Sequence, residues 1–178
     1  MSAKDWENRA RRVRLLLLDV DGVLTDGRII YDNSGNEWKF FDVKDGHGIK
    51  LLQRAGLEVG ILTGRKAKGT TIRARELGIR LVVQKALDKG KALEEIQKKR
   101  KIDGPSIGYI GDDLVDIPVF KRVGFAVATA DGVAEAKRCA HYVTRRRGGR
   151  GAVREVCELI LKCQDKWKDV TRRYFAPP

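Results

Sequence analysis

Apolar residues along the chain follow two rhythms. Short continuous runs, "RLLLLDV" (14–20), "GLEVGILTG" (56–64), "IRLVVQ" (79–84), "SIGYIGDD" (106–113) and "GFAVAT" (124–129), have the length and bounding residues of buried strands. Between them, "HGIKLLQRA", "KAKGTTIRARELG", "DKGKALEEIQKKRK" and "VDIPVFKRV" space their apolar residues as helices do. A last helix is predicted from about Ala152 to Trp167, with Val153, Val156, Ile160 and Cys163 on one face. Continuous apolar strands alternating with helices imply a mainly parallel sheet covered on both faces, an α/β Rossmann-like three-layer sandwich. No internal repeat or long linker divides the chain, so one domain is expected over residues 1–178.

One segment breaks the rhythm. "GRIIYDNSGNEWKFFDV" (27–43) places two short strand-like runs around a turn-forming "DNSG", the pattern of a small β-hairpin inserted after the first strand. Its Ile29, Ile30, Tyr31, Trp38, Phe40 and Phe41 form an apolar surface that either folds back on the chain's own core or packs against another subunit. The tail, about 168–178, ends in "RRYFAPP", whose prolines favour an extended course; docking on a neighbour and fraying both remain open.

Three of the predicted strands end in chemistry. The first leads into Asp19 and Asp21, the second into Thr63, Gly64 and Arg65, and the fourth into Asp112 and Asp113. In an open parallel sheet, ligands bind at the carboxyl ends of the strands. Carboxylates gathered there repel one another unless a cation compensates, and an all-oxygen set suits a hard ion such as Mg²⁺. His47 and His141 lie far apart without a partner motif, so nothing points to zinc. Gly22 is expected to let the backbone approach a phosphate closely.

The composition narrows the picture. A formal charge of +13 suits nucleic acid, an anionic surface or a small anionic substrate, and charge alone does not choose among them. "RRRGGRG" (145–151) resembles an RNA-binding tract but occurs once and leads into an amphipathic helix, with aromatic residues at only 7%, so no nucleic-acid role is expected. No apolar run approaches a membrane span, and the charged N-terminus lacks the apolar core of a secretory signal, so a cytoplasmic protein without a membrane partner is expected. Cys139, Cys157 and Cys163, odd in number and without close spacing, are expected to be reduced thiols.

The blocks "DVDGVLTDG", "DVKDGHGI", "ILTGRKA", "GDDLVDIPV" and "GGRGAVREV", in this order over about residues 14–160, resemble the haloacid dehalogenase (HAD) superfamily and, within it, the 3-deoxy-D-manno-octulosonate 8-phosphate phosphatases. The family's third motif carries a lysine for which Lys85, Lys89 and Lys91 compete; "QKALDK" aligns Lys89 with it and puts Lys85 where a glycine is common.

The resemblance implies hydrolysis of a phosphomonoester through an aspartyl-phosphate, the substrate being a small anionic sugar phosphate and the pathway lipopolysaccharide core synthesis. Asp19 would be the nucleophile. Mg²⁺ would be held by Asp19, Asp112 and the Asp21 carbonyl, leaving the Asp21 side chain as general acid and base. Thr63 and Gly64 would bind phosphoryl oxygens, Lys89 would neutralise charge, and Asp113 would orient Lys89 or the metal's waters, with Asp116 the weaker candidate. Arg65, Lys66, Asp45 and Arg150 would contact the sugar or its carboxylate, although Asp45 also reads as part of a helix N-terminus and Arg150 as part of a solvated loop. The hairpin stands where larger relatives carry a cap domain, and in the resembled family hairpins associate, which implies a homotetramer. The alternatives are a nine-carbon sialic-acid-type 9-phosphate or other sugar phosphates as substrate, or a non-catalytic HAD-like assembly domain.

Overall fold

The computed structural model describes residues 3–175. Its centre is a six-stranded sheet formed by β1 (Leu15–Leu18), β4 (Glu58–Leu62), β5 (Leu81–Val83), β6 (Ile107–Gly111), β7 (Phe125–Ala128) and β8 (Tyr142–Val143). The spatial order is β5-β4-β1-β6-β7-β8 and every pairing is parallel. β1 shows why the sheet must be covered twice. Its four leucines are all buried, and alternation sends Leu16 and Leu18 into one core and Leu15 and Leu17 into the other.

On the first face lie α1 (Ala3–Arg11), α2 (Val43–Arg54), α3 (Lys68–Leu77) and α7 (Ala152–Cys163); on the second lie α4 (Lys89–Arg100), α5 (Ile117–Phe120) and α6 (Ala134–Cys139). This is the α/β Rossmann-like sandwich that the strand and helix rhythm predicts. Among the described residues no helix is long and apolar enough to cross a membrane.

The structure departs from the sequence expectations at both ends. α1, α6 and β8 were not predicted: their apolar residues are too few for periodicity to register, and packing on the sheet holds them. The last helix stops at Cys163, turns through Asp165 at φ +58°, and resumes as α8 (Trp167–Thr171) and a 3₁₀ turn, Arg172–Tyr174. The tail is therefore helical where an extended course was expected, because Trp167 and Val170 pack on the core and the Tyr174 hydroxyl accepts from Arg54. The prolines behind the extended reading, Pro177 and Pro178, lie outside the described residues.

The insertion after β1 is an antiparallel hairpin of β2 (Ile30–Tyr31) and β3 (Glu37–Trp38). Its turn is held by Asp32, whose carboxylate accepts from the amides of Ser34 and Asn36. Phe41 turns back onto the core, but Ile29, Tyr31, Trp38 and Phe40 stay half or more exposed (50, 59, 56 and 61%).

Candidate active site

The chain runs from β1 outward through β4 to β5, then crosses back to lay β6 on β1's other side. The crevice at the carboxyl ends of β1 and β6 is therefore the switch point where such sheets bind ligands. Asp19 follows β1, Asp112 follows β6, Thr63 follows β4, and Lys89 opens α4 just after β5.

Asp19 is pinned at both ends of its residue. Its amide donates to the Ile110 carbonyl on β6, and its Oδ1 accepts from the Val20 amide at 2.7 Å. Its Oδ2 accepts from Lys89 Nζ at 2.7 Å. The same ammonium donates to Asp116 Oδ1 at 2.6 Å and to the Tyr109 hydroxyl at 3.2 Å. Tyr109 donates its own proton to Asp116 Oδ1 at 2.6 Å, and Asp116 Oδ2 accepts from the amides of Asp112 and Asp113. Asp19, Lys89, Tyr109 and Asp116 are all buried.

Burial acts against the Lys89 charge, yet the Asp19 and Asp116 carboxylates outweigh it and hold its pKa above the ordinary lysine value. Burial pushes Asp19 up to about 6 against the pull of Lys89. Asp112 is pushed up to about 8, by burial first and then by the charges of Asp116 and Asp19. Burial likewise lifts Tyr109 well above the usual phenol range, so it remains a hydrogen-bond donor.

Asp19, Asp112 and Asp116 each bring a carboxylate oxygen within 4.8 Å of the others, and two of them, Asp19 and Asp116, pair with Lys89. They are not equivalent. Both oxygens of Asp116 are already taken by Lys89, Tyr109 and two amides, whereas Asp112 Oδ1 is buried without a partner. An unpartnered buried carboxylate oxygen beside Asp19 fits a hard divalent cation held by Asp19 and Asp112, with Asp116 fixing the lysine.

Gly22 also has a task beyond the one expected. At φ +82° it lies against Asp112, and a Cβ there would stand 2.1 Å from Asp112 Oδ2. Its lack of a side chain makes room for the carboxylate. Gly148 and Gly149 serve the same loop: the Gly149 amide donates to the Val23 carbonyl at 2.8 Å, and a Cβ on Gly148 would meet the Gly22 carbonyl at 1.8 Å. The "GGRG" run thus clamps the loop that carries Asp21.

Residues 70–155 match the family model of haloacid dehalogenase-like hydrolases. The chain is 48% identical to the 3-deoxy-D-manno-octulosonate 8-phosphate phosphatase KdsC of Yersinia pestis over 95% of its length and 90% of the relative's. It belongs to the 3-deoxy-D-manno-octulosonate 8-phosphate phosphatase family. The crystal structure of the Yersinia pestis phosphatase superposes with a TM-score of 0.92, covering 94% of this chain and 90% of that one. A Moraxella catarrhalis phosphatase of the same name, solved with magnesium ion, phosphate ion and KDO, is 39% identical, with a TM-score of 0.95 over 97% of this chain and 99% of that one.

Among the family's motif lysines, geometry separates the three candidates. Lys89 reaches Asp19; Lys85 is exposed at φ +60°, and Lys91 pairs with Asp88 at the surface. Two other expectations need correction. Asp113 does not touch Lys89: it is exposed, and its carboxylate caps the 3₁₀ turn Leu114–Asp116. Asp116 holds the lysine instead, because one turn after β6 its side chain points back under the sheet edge. Asp45, expected at the sugar, is 1% exposed and accepts from the Gly151 and Arg154 amides, so it caps α7 from α2.

Thr63 is buried, its backbone bonded to Val83 and Ala86. Gly64 is half-buried, and Arg65 and Lys66 are exposed on the loop that follows. Arg150 is exposed at the rim, 3.4 Å from Asp26.

Two site residues escaped the sequence reading. Lys39, whose side chain is 2% exposed, donates to Asp21 and pairs with Glu37 at 3.1 Å. Arg65 joins them, 3.0 Å from Glu37 and 3.7 Å from the second Asp21 oxygen. The signal was present in "EWKFF": alternation that turns Trp38 and Phe40 outward turns Glu37 and Lys39 inward. Tyr109 is the other, a phenol in an otherwise aliphatic buried strand, where its hydroxyl had to find a partner.

Proposed function

We propose that the chain is a magnesium-dependent phosphomonoesterase that releases phosphate from 3-deoxy-D-manno-octulosonate 8-phosphate, with the chain acting as one phosphatase domain. The observation that carries this reading is the Asp19–Lys89–Asp116 network beside the unpartnered oxygen of Asp112. Membership of a family whose named relatives act on this sugar phosphate, at 48% identity, supports the substrate.

Asp19 attacks phosphorus in line with the leaving sugar oxygen and becomes an acyl phosphate, which water then hydrolyses. Mg²⁺, held by Asp19, Asp112 and the Asp21 carbonyl, supplies positive charge that lets a carboxylate approach a phosphate dianion. Lys89 places a second positive charge at Asp19, and Tyr109 and Asp116 keep its ammonium aimed there. Thr63 donates its hydroxyl, and Gly64 its amide, to phosphoryl oxygens. Asp21 gives a proton to the leaving oxygen and takes one from the attacking water, with its carboxylate steered by Lys39 and Arg65.

Arg65, Lys66 and Arg150 form the cationic surroundings for the substrate's carboxylate. The exposed aromatic face of the hairpin supports self-association as a homotetramer, in a cytoplasmic enzyme.

Phosphate release from 3-deoxy-D-manno-octulosonate 8-phosphate, with Mg²⁺ or EDTA, for wild type and Asp19→Asn, tests the reading. Metal-dependent release that the variant abolishes is expected. No release by the wild type from this or any other sugar phosphate would overturn it in favour of an assembly role.

A further inference from the structure

A cavity of about 770 Å³ shares no residue with the Asp19–Lys89–Asp112 cluster. It lies between α1 and α7, beside β8, and its volume is within the range of small-molecule sites. One wall is aromatic: Trp6 and Tyr142 meet at 5.2 Å between ring centroids, tilted by 55°. The other is cationic and contains Arg145 and Arg146, the start of the arginine run for which the catalytic reading has no use.

Three of the four carboxylates that line the cavity are committed elsewhere. Glu155 accepts from the backbone amides of Arg145 and Arg146 and from the Tyr142 hydroxyl, so the acid orders the loop while both guanidinium groups extend from it, exposed. Glu158 is taken by Arg154 at 2.6 Å and Lys162 at 3.1 Å. Asp42 accepts from the first amides of α2. A further carboxylate, Glu7, neighbours Trp6 and offers an acceptor at the aromatic end.

An aromatic pair in one cavity with two guanidinium groups that make no ion pair among the described residues matches a planar base joined to a phosphate chain. We propose that this groove binds a nucleoside diphosphate, with the base against the Trp6–Tyr142 pair and the phosphates on Arg145 and Arg146. The site lies apart from Asp19, Lys89 and Asp112 but meets the proposed substrate surroundings at Arg150, and its occupancy provides a means for a nucleotide to act on the enzyme through Arg150 and α7.

Equilibrium dialysis of labelled ADP against the full-length Asp19→Asn protein, which cannot turn ADP over, tests the proposal. Saturable binding with a Kd near or below about 1 mM is expected. Arg145→Ala/Arg146→Ala should weaken it about tenfold or more, since charge-assisted bonds to phosphate are lost while the Glu155 contacts to the backbone remain. Trp6→Leu should weaken ADP about tenfold and leave pyrophosphate unchanged. In the otherwise wild-type enzyme the arginine pair variant should keep its phosphatase rate. Absence of binding, binding indifferent to the arginines, or pyrophosphate binding as tightly as ADP would each overturn the proposal. So would a change of sedimentation coefficient in the arginine variant, which would make the groove a contact between copies of the chain.

Discussion

Gly22 and Asp112 compete for one volume: a methyl group on residue 22 would stand 2.1 Å from Asp112 Oδ2, on a backbone already at φ +82°. The loop carrying Asp21 and the carboxylate at the end of β6 can therefore approach only because residue 22 has no side chain. Gly22→Ala should lower kcat/KM and Mg²⁺ affinity by about 10–100-fold, in the range seen when a ligand's support is removed. The left-handed backbone should add a stability loss of about 1–2 kcal/mol. Steady-state kinetics over a Mg²⁺ titration, beside urea unfolding, separates the two effects; unchanged metal affinity would contradict the packing argument.

Asp113 and Asp116 are three residues apart and chemically alike, yet only Asp116 meets Lys89. Asp113→Asn should stay within about 0.5 kcal/mol of wild type and keep its activity, since Asn caps a turn nearly as well. Asp116→Asn should cost about 3–5 kcal/mol, because it unbalances a buried ion pair, and should cut kcat by loosening the lysine. Tyr109→Phe, which removes one donor to Asp116, should fall between them at about 1–3 kcal/mol. Chemical denaturation of the three variants gives the ranking.

Burial, partly offset by the Arg154 amide, lifts Asp45 from 3.8 to about 6. The folded state therefore holds a proton on Asp45 that the unfolded state has already released between these pH values. Stability from this group is complete below pH 4 and is lost as pH rises to about 6, a difference of roughly 3 kcal/mol. Asp45→Asn removes that titration, so its unfolding free energy should lack the decline relative to wild type between pH 4 and 6. Equal slopes for the two proteins would show that Asp45 keeps its ordinary pKa.

Asp19 and Asp112 are both lifted by burial and by neighbouring acids, a cost that a bound cation removes. Mg²⁺ should raise the thermal midpoint, by an amount that follows the free metal concentration as binding to the native state alone requires. The rise should be larger at pH 8 than at pH 6, because protonated carboxyls bind the ion poorly. Asp112→Asn should abolish most of it. Thermal melts with EDTA and with graded Mg²⁺ provide the check.

The order of strands and helices was legible because continuous apolar runs and helical spacing are local signals, and β1, β4 to β7, α2 to α4 and α7 lie where they indicate. Asp19, Thr63 and Asp112 at strand ends followed from the same pattern, because a parallel sheet brings those ends to one edge. What needed the tertiary structure was the pairing of side chains. Sequence cannot say which of two neighbouring aspartates faces a lysine 27 positions away; the 3₁₀ turn after Asp113 decides it by rotating Asp116 inward. It cannot show that Asp45 spends both oxygens on a helix 109 residues further on, or that Lys39 of the hairpin lies on Asp21. Helices as short as α6 and α8 form only where the sheet and core give their few apolar residues something to pack on, since one or two turns lack the hydrogen bonds to stand alone. Local patterning placed the chemical groups at the right edge of the sheet, and long-range packing decided which of them touch.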